Sequence, residues 1–182
     1  MKTRYETLLK IIERSIEAIE EKFINFKVAG ADDPIKRERQ YCAELYHQMR
    51  EKWEGLDYDL NIEPDKKNHP IIEQYCGPVD PDLVVHHGGY MGPEDNLAVI
   101  EVKTSCGDLT SGIVKDLQTI NCMTSIPNGY FGGIVIVFGE LNELKKKNLI
   151  ERVKKYKKKE TQKLILLLHE KPETLPEAIE IE

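Results

Sequence analysis

Leu8, Ile12, Ile16, Ile19 and Phe23 recur at steps of three and four, with Glu and Lys between them. That spacing predicts an amphipathic first helix that serves packing or dimerisation. KVAGADDPIKR interrupts it, and Asp33 before Pro34 reads as a helix start, a capping carboxylate followed by proline at the first helical position. The second helix is expected from Pro34 to about Glu54, with Tyr41, Leu45, Met49 and Trp53 on its apolar face. LDYDLNIE alternates as a strand does, Pro64 to Gly77 reads as a polar, proline-punctuated connection, and DLVVHH and NLAVIEVK are strands joined by the loop HGGYMGPED. SGIVKDLQTINCM is expected to be a helix, YFGGIVIVFG a buried strand, ELNELKKKNLIERVKKYKKK a charged helix and KLILLLHE another buried strand.

Helix, helix, three strands, helix, strand, helix, strand is the order of an α/β fold. The first three strands suit an antiparallel meander and the later strand–helix units add parallel neighbours, giving a mixed sheet with helices on both faces. The 182 residues fit one domain. Residues 1–30 form its N-terminal helix and linker, 33–138 a core, 139–170 the helix and strand that complete the sheet, and 171–182 a tail expected to be poorly ordered.

Composition narrows the classes. A hydrophobic share of 40% and a charged share of 32% suit a globular chain with a charged surface. The net charge of -6 gives no overall attraction to nucleic acid, so such a partner must be met by a local patch, and KKKNLIERVKKYKKK is the dense basic run. The N-terminus is too charged and periodic for a signal peptide, and no apolar run approaches the roughly 20 residues of a membrane span, so a cytoplasmic location is expected. Cys42, Cys76, Cys106 and Cys122 form no C-x-x-C pair and read as reduced, mostly buried thiols; Cys106 and Cys122 could approach in space.

Charge within the strands points to chemistry. Glu101 and Lys103, two residues apart, share one sheet face, while Ile100 and Val102 pack on the other. Asp82 opens the preceding strand with Val84 and His86 on its face, and antiparallel pairing brings Asp82 towards Glu101. Two adjacent carboxylates repel unless a proton or cation intervenes, and an oxygen-lined pocket suits Mg2+ or Mn2+. A lysine beside them can position or deprotonate water, or stabilise charge developing on a phosphate. Glu38 lies three residues before Tyr41 and seven before Leu45, on the inward stripe of its helix, where a carboxylate is costly unless paired. Glu44 falls on a solvated flank.

Pro81-Asp82, eighteen intervening residues and Glu101-Val102-Lys103 resemble the PD-(D/E)xK nuclease superfamily, whose restriction-endonuclease-like fold has an αβββαβ core. The resemblance implies a metal-dependent endonuclease that hydrolyses phosphodiester bonds, with DNA as the expected substrate. It implies that Asp82 and Glu101 ligate Mg2+ or Mn2+, that Glu38 assists them, and that Lys103 is the catalytic lysine. It further suggests a polar residue from the helix after the third strand, with Lys115 and Gln118 as accessory candidates; His86, which shares the strand face of Asp82, is expected to line the cleft. Target recognition would come from a homodimer or a partner protein, with no membrane involved.

Other readings stand beside this one. Glu101 and Lys103 alone could be an ordinary ion pair worth about 1 kcal/mol or less, which leaves Asp82 and Glu38 unexplained. His86 and His87 face opposite sides of a strand and do not share one metal. HGGYMGPED lacks the glycine spacing of a phosphate loop. Ser105, Ser111 and Ser125 lack a nucleophile elbow, and Cys106 lacks a general base. The alternative function is a nuclease-like domain that no longer cuts and serves as a nucleic-acid-binding or protein-interaction module. A weaker third is a small-molecule-binding α/β protein.

Overall fold

The alternation read from the sequence closes into one mixed sheet. The computed structural model describes residues 1–64, 70–106 and 109–182. Its elements are α1 (Lys2–Glu17), α2 (Glu21–Ile24), α3 (Glu38–Glu51), β1 (Asp59–Ile62), α4 (Pro70–Cys76), β2 (Leu83–His86), β3 (Asn96–Thr104), α5 (Leu109–Ser125), β4 (Gly132–Phe138), α6 (Glu143–Tyr156), β5 (Lys163–His169) and β6 (Glu177–Glu180). Six strands lie side by side in chain order. β1, β2 and β3 form the antiparallel meander, β4 and β5 extend it in parallel, and β6 returns antiparallel along β5.

Strict alternation along the strands divides the core in two. Leu83, Val85, Ala98, Ile100, Val102, Ile134, Ile136 and Phe138 pack with α1 and α3. Val84, Val99, Val135, Val137, Leu164 and Leu166 face the other way and pack with α5 and α6. This two-sided burial explains why β4 and β5 are almost continuously apolar. It also puts Glu101 and Lys103, in step with Val99, on the α5 side.

Several expectations need correction. The first helix stops at Glu17, and the chain re-enters helix only for the single turn α2. Its stripe of Leu8, Ile12, Ile16 and Ile19 is fully buried within the chain, so it is not spare surface for a dimer. α3 starts at Glu38, not Pro34. Ile35 is held extended by a two-bond bridge to Phe26, both bonds at 2.9 Å, which delays the helix. Part of the polar connection lies outside the described residues, but Pro70–Cys76 forms α4, with Ile72 buried against α5. The tail is not loose: β6 pairs with β5, and Ile181 is buried. Leu144, Leu149 and Val153 fall at helical spacing and are expected to form the packing stripe of α6, but only Leu149 and Val153 pack inward and Leu144 is exposed.

The cysteines correct the reading of four reduced thiols. Cys76 at the end of α4 and Cys122 in α5 form a disulfide, with Cα atoms 5.7 Å apart. Cys42 is a buried free thiol and Cys106 an exposed one. Cys122 thus pairs with Cys76 and not with Cys106. Among the described residues no helix is long and apolar enough to cross a membrane.

Candidate functional site

Asp82 directly precedes β2. Leu83 stands opposite Ile100 in β3, so one further antiparallel step sets Asp82 against Glu101. Both ends of the residue are fixed: its carbonyl accepts the Glu63 N–H at 2.7 Å, and its Oδ2 accepts the Val102 N–H at 2.7 Å. Glu101 is only 5% exposed beneath α5.

Lys103 follows on the same face. Its Nζ lies 3.2 Å from Asp116 Oδ2 and 3.5 Å from Glu38 Oε2. The lysine stem runs against Gly112 of α5, where a Cβ would stand 3.2 Å from Lys103 Cδ, so the glycine leaves room for it. Glu38, in the first turn of α3, reaches over the end of the sheet, and its Oε1 accepts the Thr104 N–H at 3.1 Å. The inward carboxylate singled out in the second helix is therefore paired, as its position required.

Asp116 was not anticipated. It is buried in α5, between the accessory candidates Lys115 and Gln118, which are both exposed. A signal was present. Asp116 lies three residues after Ile113 and four before Ile120, on the apolar stripe of its helix, and the criterion that selected Glu38 selects it too.

The histidines lie elsewhere. His86 closes β2 opposite Asp59, four residues and roughly 13 Å along the strand from Asp82, and its Nε2 meets the Asn61 side-chain amide at 3.2 Å. His87 stacks on Tyr58 with ring centroids 4.2 Å apart and bonds Asp95 Oδ1 and the Asp57 carbonyl, a structural role.

The electrostatics follow from burial. Burial pushes Glu101 well above the ordinary carboxylate range, and the neighbouring Asp82 and Asp116 push it further. Burial also raises Asp82, although the Val102 N–H and Lys103 oppose the shift. Asp116 is pushed up to about 6 by burial, against the pull of Lys103. The hydrogen bond between the two carboxyls raises Glu101 further and lowers Asp82, which makes Glu101 the donor side of the pair and Asp82 the acceptor side. Burial lowers Lys103, but Asp116 and Glu38 outweigh it and the net shift is upward. Lys103 is therefore an ammonium in this arrangement, suited to orienting water and stabilising phosphate charge rather than to removing a proton.

Do these groups fit a divalent ion? Among the described residues, no set of three or more His, Cys, Asp or Glu side chains is arranged to hold one. Mg2+ needs fewer protein ligands, because it retains several waters and takes one or two carboxylates together with substrate phosphates. The Asp82–Glu101 pair supplies two hard oxygen donors, and among the described residues the buried Asp116 Oδ2 has no hydrogen-bond partner beyond its ion-pair contact with Lys103. A donor set of carboxylate oxygens is the kind that Mg2+ and Mn2+ take, and binding of either ion would require the pair to be deprotonated. Comparison of the chain with protein-family models, with curated proteins and with solved structures returned no match.

Proposed function

We propose that the chain is a metal-dependent nuclease of the PD-(D/E)xK superfamily, with a restriction-endonuclease-like core, and that it hydrolyses phosphodiester bonds of DNA. The observation that carries this reading is the meeting of Glu38, Asp82, Glu101 and Lys103, from three separate segments of the sequence, at one end of β3. Asp82 and Glu101 would hold Mg2+ or Mn2+, with Glu38 beside them, and the ion would lower the pKa of water and neutralise the scissile phosphate. Lys103 orients the attacking water and offsets the charge that gathers on the phosphate. Asp116 and Glu38 both hold the ammonium in place. A second copy or a partner protein would supply target choice, and the cytoplasm would be the compartment.

A second reading is favoured by one observation. Glu38 and Asp116 are both engaged with Lys103 rather than open to an ion, which suits a nuclease-like domain that has lost cleavage and binds nucleic acid or protein. The two are separated by incubating supercoiled plasmid and linear single- and double-stranded DNA with Mg2+, Mn2+ or EDTA. Metal-dependent cutting by the wild type that disappears in Asp82→Ala is the outcome expected of the nuclease. No cutting of any substrate under any metal condition favours the binding module.

A further inference from the structure

Four carboxylates surround Lys103, so the site as described so far repels the polyanion it is proposed to cut. A second lysine stands at the same end of the sheet. Lys36 emerges from a pinned segment: Ile35 before it is bridged to Phe26, and Arg37 after it caps α3, its carbonyl accepting the Tyr41 N–H at 3.1 Å. Its stem lies across Gly139, the residue that leaves β4. A Cβ on Gly139 would stand 2.4 Å from Lys36 Cε and 2.7 Å from Ser105 Oγ, and the glycine also has a φ of 96° that L side chains rarely adopt. Gly139 is held there by its N–H to the His169 carbonyl at 2.9 Å, and Ser105 by its N–H to the Phe138 carbonyl at 2.8 Å. The lysine stem is therefore seated where the chain leaves β4, at a spot shared with Ser105, which lies two residues along the chain from Lys103. Unlike Lys103, its ammonium has no carboxylate or hydrogen-bond partner among the described residues.

We propose that Lys36 is a phosphate-binding residue, which takes a backbone phosphate of the nucleic acid beside the Asp82–Glu101–Lys103 site. The assignment rests on the nuclease reading and supplies what that reading lacks, a fixed and unpaired positive charge at the mouth of an acidic site. Seating the stem on Gly139 limits the freedom lost when the ammonium engages a phosphate. A phosphate contact of this kind positions the strand without reading its sequence.

The test compares wild type, Lys36→Met and Lys36→Arg. Methionine keeps an apolar stem over Gly139 and removes the charge, whereas arginine keeps the charge. Duplex binding is followed by fluorescence anisotropy between about 50 and 200 mM salt, with Ca2+ replacing Mg2+ to hold back cleavage, and steady-state cleavage is measured in Mg2+. Lys36→Met is expected to bind roughly fivefold more weakly, to flatten the salt dependence by about 0.9 in slope, and to raise KM with kcat changed less than about twofold. Lys36→Arg is expected to retain most of the affinity and the slope. Wild-type cleavage together with unchanged affinity and slope in Lys36→Met overturns the Lys36 assignment alone. A fall in kcat without a change of slope also overturns it, because the lysine then acts through structure or chemistry. A wild type that neither binds nor cuts DNA removes the nuclease reading and this assignment with it.

Discussion

Lys103→Ala is expected to slow metal-dependent cleavage by more than about 100-fold, equivalent to roughly 2.7 kcal/mol of lost transition-state stabilisation. The ammonium is half-buried, and Asp116 and Glu38 keep it charged. In such a setting a charge aimed at a developing oxyanion acts with little screening. Its removal also leaves Asp116 buried without its cation, so Asp116 binds a proton more tightly still and the fold loses a little stability. Single-turnover cleavage under saturating metal, with circular dichroism to confirm folding, separates the two effects. Lys103→Arg is expected to recover only part of the rate. Its wider guanidinium must pass Gly112, which the lysine stem already approaches closely. A Lys103→Ala rate equal to wild type would remove Lys103 from the mechanism.

Loss of the Cys76–Cys122 bond is expected to cost up to about 4 kcal/mol. The two residues are 46 apart in sequence, and the chain-entropy treatment of cross-links gives about that value for a loop of this length. For a chain of this size, about 4 kcal/mol corresponds to a fall in Tm of roughly 8–16 °C. The loop closed by the bond contains Asp82, Glu101, Lys103 and Asp116, leaving only Glu38 of the cluster outside it. Reduction should therefore loosen the site along with the fold. Thermal melting of the wild type with and without dithiothreitol, beside Cys76→Ser/Cys122→Ser, measures the effect. Thiol titration of the denatured, unreduced protein is expected to find only Cys42 and Cys106 free. Four reactive thiols and an unchanged Tm would show that the bond does not form in solution. Disulfides persist chiefly in oxidising compartments and in the cells of hyperthermophiles, so the same titration bears on the proposed cytoplasmic location.

β2, β3, β4 and β5 were legible because each alternates between two buried faces, and a carboxylate or ammonium on such a face stands out. Asp82, Glu101 and Lys103 were found in that way. Glu38 was legible because helical spacing ties it to Tyr41 and Leu45. Asp116 obeys the same rule, but α5 carries many polar residues around Ile113, Leu117 and Ile120, and its stripe is less distinct. The start of α3 was misplaced because the bridge between Phe26 and Ile35 is a tertiary constraint that overrides a good local capping signal. β6 escaped notice because four residues with a glutamate at each end become a strand only when β5 offers an edge. The disulfide depends on α4 packing against α5, and no spacing of cysteines records that contact.

The central claim is that Asp82 and Glu101 form a carboxylate pair completed by a divalent cation. Glu101, Asp82 and Asp116 all have pKa values raised by burial in the folded protein, so each contributes stability at acid pH that is lost as pH rises through its folded value, about 6 for Asp116. The buried His169, lowered to about 4, acts in the opposite sense, losing stability as pH falls below the ordinary histidine range. Comparing wild type with Glu101→Gln cancels that contribution, because His169 is common to both. The decisive measurement is the Tm of these two proteins at pH 8 and pH 5, in EDTA and in Mn2+. In EDTA at pH 8, Glu101→Gln is expected to melt higher than wild type by about 2 kcal/mol, roughly 4–8 °C, because glutamine donates to Asp82 as the protonated carboxyl does. The difference should shrink towards pH 5, and Mn2+ should raise the Tm of the wild type at pH 8 but not that of the variant. Equal responses of both proteins to Mn2+, with no difference between them in EDTA, would contradict the account.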